Sequence, residues 1–264
     1  MRLLTFSFLK ICKHKKLCYG LPRRISGGGV LQPDVIPRTT GDPSLLEISS
    51  SWAENEEPDL RAAVLRDMQV FPDYITEQEE AALLKELEPR LKRMRYEFDH
   101  WDNAIQGFRE TERSQWNYEN SKVLARVRGL AFGAELQPLP HAHVLDLAAA
   151  GHIKPHIDAV RFCGDVIAGL CLVSSAVMRL VHNNKKHLVV DALLARRALY
   201  IMKGTARYDY THEVLGGEES MWRGERLPRQ RRVAVICRSQ PHQKDSQPDI
   251  KTGSIVSEHV QTAE

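Results

Sequence analysis

The chain has 264 residues, enough for one sizeable domain with tails, and its 42% hydrophobic and 27% charged residues are ordinary for a folded soluble protein. No run approaches the roughly 20 consecutive apolar residues of a membrane-spanning helix. The formal charge of +3 is unevenly placed: seven bases precede the first acid, Asp34, and setting them aside leaves 30 basic against 34 acidic residues, a net −4 that argues against a general polyanion binder.

Those seven bases are Arg2, Lys10, Lys13, Lys15, Lys16, Arg23 and Arg24, interleaved with Leu3, Leu4, Phe6, Phe8, Leu9 and Ile11. A basic amphipathic segment without acids over residues 1–33 predicts a mitochondrial presequence and delivery to the matrix. Lys10 and the cluster from Lys13 to Lys16 interrupt the unbroken apolar core that a secretory signal needs. Residues 34–70 include GDPSLLEISSSWAENEEPDL, acidic and bounded by prolines, which reads as a linker and N-terminal extension, with order beginning near Phe71.

Thr76 and Glu79 offer a capping box, followed by Leu83, Leu84, Leu87, Leu91 and Met94 at helical spacing, with Pro89 expected to kink or divide the helix. A second helix is predicted from Ser121 to Phe132, stopped by Gly133. From His141 the texture changes to short β-rich runs, HAHVLDL, DVIAGLCLV, AVMRLVH, HLVVDALL, ALYIMK and RVAVICR. Helices followed by many closely spaced strands predict a mainly β fold, a double-stranded β-helix or jelly-roll over residues 71–239, buttressed by the N-terminal helices. Residues 240–264 are polar and read as a disordered tail. Cys163, Cys171 and Cys237 lack C-x-x-C spacing, so they read as buried free thiols rather than a zinc site.

Two His-x-Asp pairs stand out, His156-Ile157-Asp158 and His100-Trp101-Asp102. On a strand, residues i and i+2 face the same side, so such a pair supplies two metal donors. Two histidines and one carboxylate on one face of iron(II) leave three positions open, the arrangement of non-haem oxygenases. His156 leads into the strand-rich half and is favoured over His100. The third donor must come from a distant strand, where His182, His187 and His212 compete. A keto-diacid co-substrate such as 2-oxoglutarate needs a buried cation, and arginine supplies a permanently charged fork. Arg232 lies 20 residues after His212 and Arg238 six further on. An even step along a strand turns both to one face, about 20 Å apart at the usual rise. His182 and His187 meet no such pair at those spacings.

The joint pattern H-x-D, distal His, R-x5-R resembles that of the AlkB family of iron(II)- and 2-oxoglutarate-dependent dioxygenases. YEFDHWDNAIQGFRETE, HVLDL, GHIKPHID, RFCG, IAGL, MRLVH, ARYDYTHE and RRVAVICRS carry the likeness, which spans roughly Phe71 to Ser239. The resemblance implies His156, Asp158 and His212 as iron ligands, Arg232 on the distal carboxylate of 2-oxoglutarate and Arg238 near its keto-acid end. It implies that Tyr200 hydrogen-bonds the co-substrate, and that O2 is the second co-substrate. Two departures are present. Nucleobase-demethylating relatives carry Asn-x-Tyr where this chain has Leu145 and Leu147, and the turn before ALYIM is Ala195-Arg196-Arg197 where Pro-Gly is usual. The expected activity is hydroxylation of a protein or small metabolite. Two alternatives remain: demethylation of mitochondrial RNA or DNA, using aromatics such as Trp101, Trp116, Tyr118 and Trp222 beside the basic run Arg223, Arg226, Arg229, Arg231 and Arg232, and a non-catalytic regulatory jelly-roll that keeps an iron site.

Overall fold

A computed structural model of the chain describes residues 39–101 and 103–242. The predicted presequence, most of the predicted tail and Asp102 lie outside the described residues. In chain order the elements are β1 (Leu46–Ile48), α1 (Pro58–Asp67), β2 (Met68–Phe71), α2 (Glu77–Leu91), β3 (Ile105–Arg113), α3 (Tyr118–Phe132), β4 (Ala142–His156), β5 (Val166–Leu172), β6 (Ala176–His182), β7 (Val189–Leu194), β8 (Leu199–Lys203), α4 (Gly204–Tyr208), β9 (Tyr210–Val214), β10 (Met221–Trp222), β11 (Glu225–Arg226) and β12 (Arg232–Arg238). Among the described residues no helix is long and apolar enough to cross a membrane.

Ten strands form one antiparallel sheet in the order β1-β7-β6-β9-β4-β12-β5-β8-β2, with β3 added on β4. The 15-residue β4 serves both layers of the jelly-roll. Its first half pairs with β12 through His143 to Leu147, and its second half meets β9 through Ile153 and His156. Near the change of partner the backbones of β3 and β4 come so close that a Cβ on Gly151 would stand 2.6 Å from the Gly107 carbonyl oxygen. Only a residue without a side chain fits there.

Period-2 alternation sorts the side chains into two cores. Leu145, Leu147, Ile167, Cys171, Tyr200, Met202, Ala234 and Ile236 face the interior between the layers, with Met178, Leu180, Val190 and Val214. Their neighbours Val144, Ala168, Leu170, Leu199, Val233 and Val235 face Leu83, Leu87 and Leu91 of α2 and Val123, Leu124 and Val127 of α3. Because β5 is covered on both sides, all seven of its residues are buried and its sequence shows no polar alternation.

The capping box forms as expected: Glu79 N–H donates to Thr76 Oγ1 at 3.1 Å and Thr76 N–H to Glu79 Oε2 at 2.9 Å. Pro89 does not divide α2; it sits in the last turn, and the helix runs two residues beyond it. α3 begins three residues before the predicted start because Asn117 caps it, accepting from Asn120 N–H at 2.9 Å.

Within residues 34–70, read as an acidic linker and N-terminal extension, the described part joins the sheet and its core. Its acids and prolines masked a set of apolar side chains, Leu45, Leu46, Ile48, Trp52, Leu60, Val64, Leu65, Met68 and Val70, which pack on the interior core. β1 pairs with β7 and β2 with β8, and Trp52 is buried, its Nε1–H donating to Glu56 O. The Ala195-Arg196-Arg197 turn keeps the shape that glycine usually supplies: Arg197 has φ +67°. Ion pairs of Arg197 with Asp73 and Glu77, and of Arg196 with Glu80, offset that strain.

Candidate metal centre

His156 closes β4 and His212 lies in the middle of β9, and the two are direct cross-strand partners. Their ring centroids are 4.3 Å apart. Asp158, two residues past His156, brings its Oδ1 to 3.3 Å from His156 Nε2 and 3.7 Å from His212 Nε2. One donor atom from each of the three lies within 4.8 Å of the others, so the sequence-predicted triad converges. His156 Nδ1 lies 2.9 Å from the Lys154 carbonyl oxygen. A carbonyl only accepts, so Nδ1 carries the proton and Nε2 turns its lone pair toward the centre, the tautomer a metal ligand needs.

Burial sets the charge states. It pulls His212 down to about 3, helped by the neighbouring His156, so the imidazole is neutral at physiological pH. Burial alone would raise the Asp158 carboxyl, but Arg238 and the two histidines outweigh it and hold the group well below the usual carboxylate range. Both shifts act on stability in one direction. Between about pH 3 and 6.5 the unfolded chain binds a proton at His212 that the folded chain refuses, and below 3.8 the same holds for Asp158. The metal-free protein is therefore expected to be most stable above pH 6.5 and to lose stability as pH falls. Urea midpoints measured from pH 7.5 to 3.5 should show this, and His212→Gln should flatten the upper part of the fall.

The competing histidines are engaged elsewhere. His182 Nδ1 accepts from the N–H groups of Asn184 and Lys185, His187 pairs with Glu56, and His100 pairs with Glu110. Arg232 and Arg238 share the inner face of β12 with Ala234 and Ile236, as the even step requires. Arg238 Nε donates to Asp158 Oδ2 at 2.8 Å. Arg232 is 2% exposed; its Nη2 reaches Cys171 Sγ at 3.5 Å, and its Nε is buried without a partner. Tyr200 stands opposite Gly169 across the β5–β8 pair, its ring filling the space where a Cβ on Gly169 would stand 2.3 Å away. Burial pushes the Tyr200 phenol up to about 12, so it stays a hydrogen-bond donor.

Sequence reasoning missed His143. It precedes Leu145 by two and so shares the inner face of β4 with both leucines. Its Nδ1 accepts from Arg238 Nη1 at 3.1 Å, and its Nε2–H donates to Glu110 Oε2 at 2.7 Å. That bond, more than any other contact, holds Glu110 below the ordinary carboxylate value. The signal was in HAHVLDL, where parity places His143 in line with the positions of the absent Asn and Tyr.

The basic run of the sequence does not form an open cationic surface. Arg223 donates to Ser44 O, Arg226 pairs with Glu218, Arg231 pairs with Asp146 and Glu88, and Arg232 points inward. Cys163, Cys171 and Cys237 are buried thiols.

Two imidazoles, one carboxylate and, on β12, a buried arginine with no carboxylate partner among the described residues fit a mononuclear iron(II) centre with a dianionic co-substrate. Jelly-roll and donor set together define the class of iron(II)- and 2-oxoglutarate-dependent oxygenases. No family model matches the chain. It is 47% identical over 191 residues to the mouse (Mus musculus) alpha-ketoglutarate-dependent dioxygenase alkB homolog 7, mitochondrial, covering 72% of this chain and 86% of that one. It is 50% identical over 184 residues to the protein of the same name from cattle (Bos taurus), covering 68% and 83%. A crystal structure of a Pseudomonas putida prolyl-4-hydroxylase superimposes with a TM-score of 0.50 at 15% identity, over 70% of this chain and all of that one, a likeness of fold alone. The chain belongs to the AlkB family of alpha-ketoglutarate-dependent dioxygenases, enzymes that use iron(II), 2-oxoglutarate (alpha-ketoglutarate) and O2.

His143→Leu removes the hydrogen bond that steadies Arg238 from β4, together with the bond to Glu110 that fixes the imidazole. We expect kcat/KM for 2-oxoglutarate to fall about 10-fold, the lower end for a group supporting a metal ligand shell. Succinate release against 2-oxoglutarate concentration measures it.

Proposed function

We propose that this dioxygenase hydroxylates a protein or small metabolite in the mitochondrial matrix, with His156, Asp158 and His212 as the iron ligands. The observation that carries the assignment is the convergence of these three side chains from the end of β4, the residues just past it and β9, with the Arg238 guanidinium donating to Asp158. When bound, iron(II) with 2-oxoglutarate and O2 supplies the oxidation of a substrate C–H bond to C–OH, with release of succinate and carbon dioxide. The side chains do the rest. Arg232 neutralises the distal carboxylate of the co-substrate, Tyr200 donates a hydrogen bond to it, and Arg238 sits near its keto-acid end while steadying Asp158. Leu145, Leu147 and Ile236 keep the pocket poor in water. The relatives named mitochondrial support the reading of residues 1–33 as a presequence.

Four of the large apolar side chains that the fold leaves exposed support the substrate class. Phe98 and Trp101 lie on one loop, and Val160 and Phe162 on the loop just past Asp158. Trp101 packs edge-on against Phe162 at 6.0 Å, and Lys154 N–H holds the first loop at Ala104 O, two residues from His156. Such a rim suits an apolar side chain better than a phosphate backbone.

Succinate release by the full chain with iron(II), 2-oxoglutarate and ascorbate tests the activity; none under any condition favours a non-catalytic jelly-roll. A search for +16 Da modifications lost on gene deletion tests the substrate class. Formaldehyde released from methylated tRNA or DNA, at rates above the uncoupled background, would overturn it in favour of demethylation.

A further inference from the structure

Two guanidiniums at the start of β12 have no carboxylate partner among the described residues. Arg232 is almost wholly buried, with its Nε unpartnered. Arg229, on the approach to the strand, donates Nη2 to the Gly151 carbonyl at 3.3 Å, and its Nε and Nη1 are buried without partners. The two side chains belong to one neighbourhood of the sheet. Arg232 is the cross-strand partner of Leu147, and Leu147 Cδ1 lies 2.8 Å from where a Cβ on Gly151 would stand. Burial first, then repulsion from Arg232, pulls Arg229 down to about 10, which leaves it charged at neutral pH.

Like charges packed together away from water are unfavourable unless an anion lies between them. Three unpaired, buried N–H groups on two neighbouring arginines offer donors for such an anion. A carboxylate offers about four lone-pair sites, of which one guanidinium fork can take two. We propose that Arg229 is a second binding residue for the distal carboxylate of 2-oxoglutarate, closing with Arg232 around it and making the pocket select a keto-diacid over a keto-monoacid. The inference rests on the assignment of Arg232 made above.

The test uses the full-length chain loaded with Mn2+ in the absence of any hydroxylation substrate, so that binding is read without turnover. 2-Oxoglutarate and 2-oxobutyrate, which lacks the distal carboxylate, are titrated separately while the rise in Tm is followed. Arg229→Gln should weaken 2-oxoglutarate binding about tenfold or more, the scale of a lost charge-assisted hydrogen bond, and leave 2-oxobutyrate binding as in the wild type. Arg229→Lys, which keeps the charge but not the fork, should show a smaller loss. Unchanged 2-oxoglutarate binding in Arg229→Gln, or an equal loss for both acids, overturns the proposal. Arg232→Gln run in parallel separates the two levels. If it too binds 2-oxoglutarate as tightly as the wild type, the assignment of Arg232 fails; if it loses binding while Arg229→Gln does not, only the role of Arg229 fails.

Discussion

His212→Ala is expected to lower succinate release by at least about 100-fold, since removing even a group that supports a metal ligand costs 10–100-fold. His212 is the one donor of the triad supplied by β9, and its partner across the β4–β9 pair is His156. Without it two donors remain, both from a three-residue stretch, and among the described residues no other histidine joins the three-donor group. His182, His187 and His100 are committed to turns and carboxylates. His182→Ala is the control and should leave turnover unchanged. Metal content after dialysis distinguishes loss of the ion from loss of chemistry: His212→Ala should bind less than one equivalent of iron(II) under conditions where the wild type holds it.

The largest expected effect on stability belongs to Asp146→Asn. Asp146 has no exposed surface, yet its carboxylate receives Arg109 Nε at 2.8 Å, Arg231 through Nε and Nη2 at 3.0 and 2.7 Å, and the Tyr96 hydroxyl at 3.1 Å. One buried charge thus joins β3, β4 and the start of β12, and through the Arg231–Glu88 pair also α2. Neutralising it leaves two guanidiniums facing each other around an amide. Breaking a buried pair in this way costs about 3–5 kcal/mol. Urea unfolding should show a lower midpoint with the slope retained, and a much smaller effect from Glu218→Gln, whose pair with Arg226 is exposed on both sides.

The parts of this protein that were legible in its sequence are those governed by local period and spacing. The six strand runs from HAHVLDL to RVAVICR all became strands, because alternation or continuous β-branched composition reports which faces are buried. The six-residue step between the arginines is a statement about parity on a strand, and the meeting of His156, Asp158 and His212 followed from spacing, Asp158 lying two residues past β4. What escaped depends on partners far away. β3 shows no clear alternation in sequence because Arg109 and Glu110 spend their charges inward, on Asp146 and His143. Nothing local in HVLDL marks Asp146 as buried; Arg109 and Arg231, both far away in sequence, make its burial tolerable. The segment before Phe71 was misjudged because its apolar residues are spaced by a sheet that the rest of the chain has to build first.

That segment does more than add bulk. It supplies both terminal members of the nine-strand path, β1 alongside β7 and β2 alongside β8. A chain begun at residue 71 would keep every side chain of the triad yet bare two rows of backbone N–H and C=O groups at opposite ends of the sheet. Such rows recruit strands from other molecules. Shortened forms of this protein should therefore self-associate on expression more strongly than the longer chain, a difference that light scattering would measure.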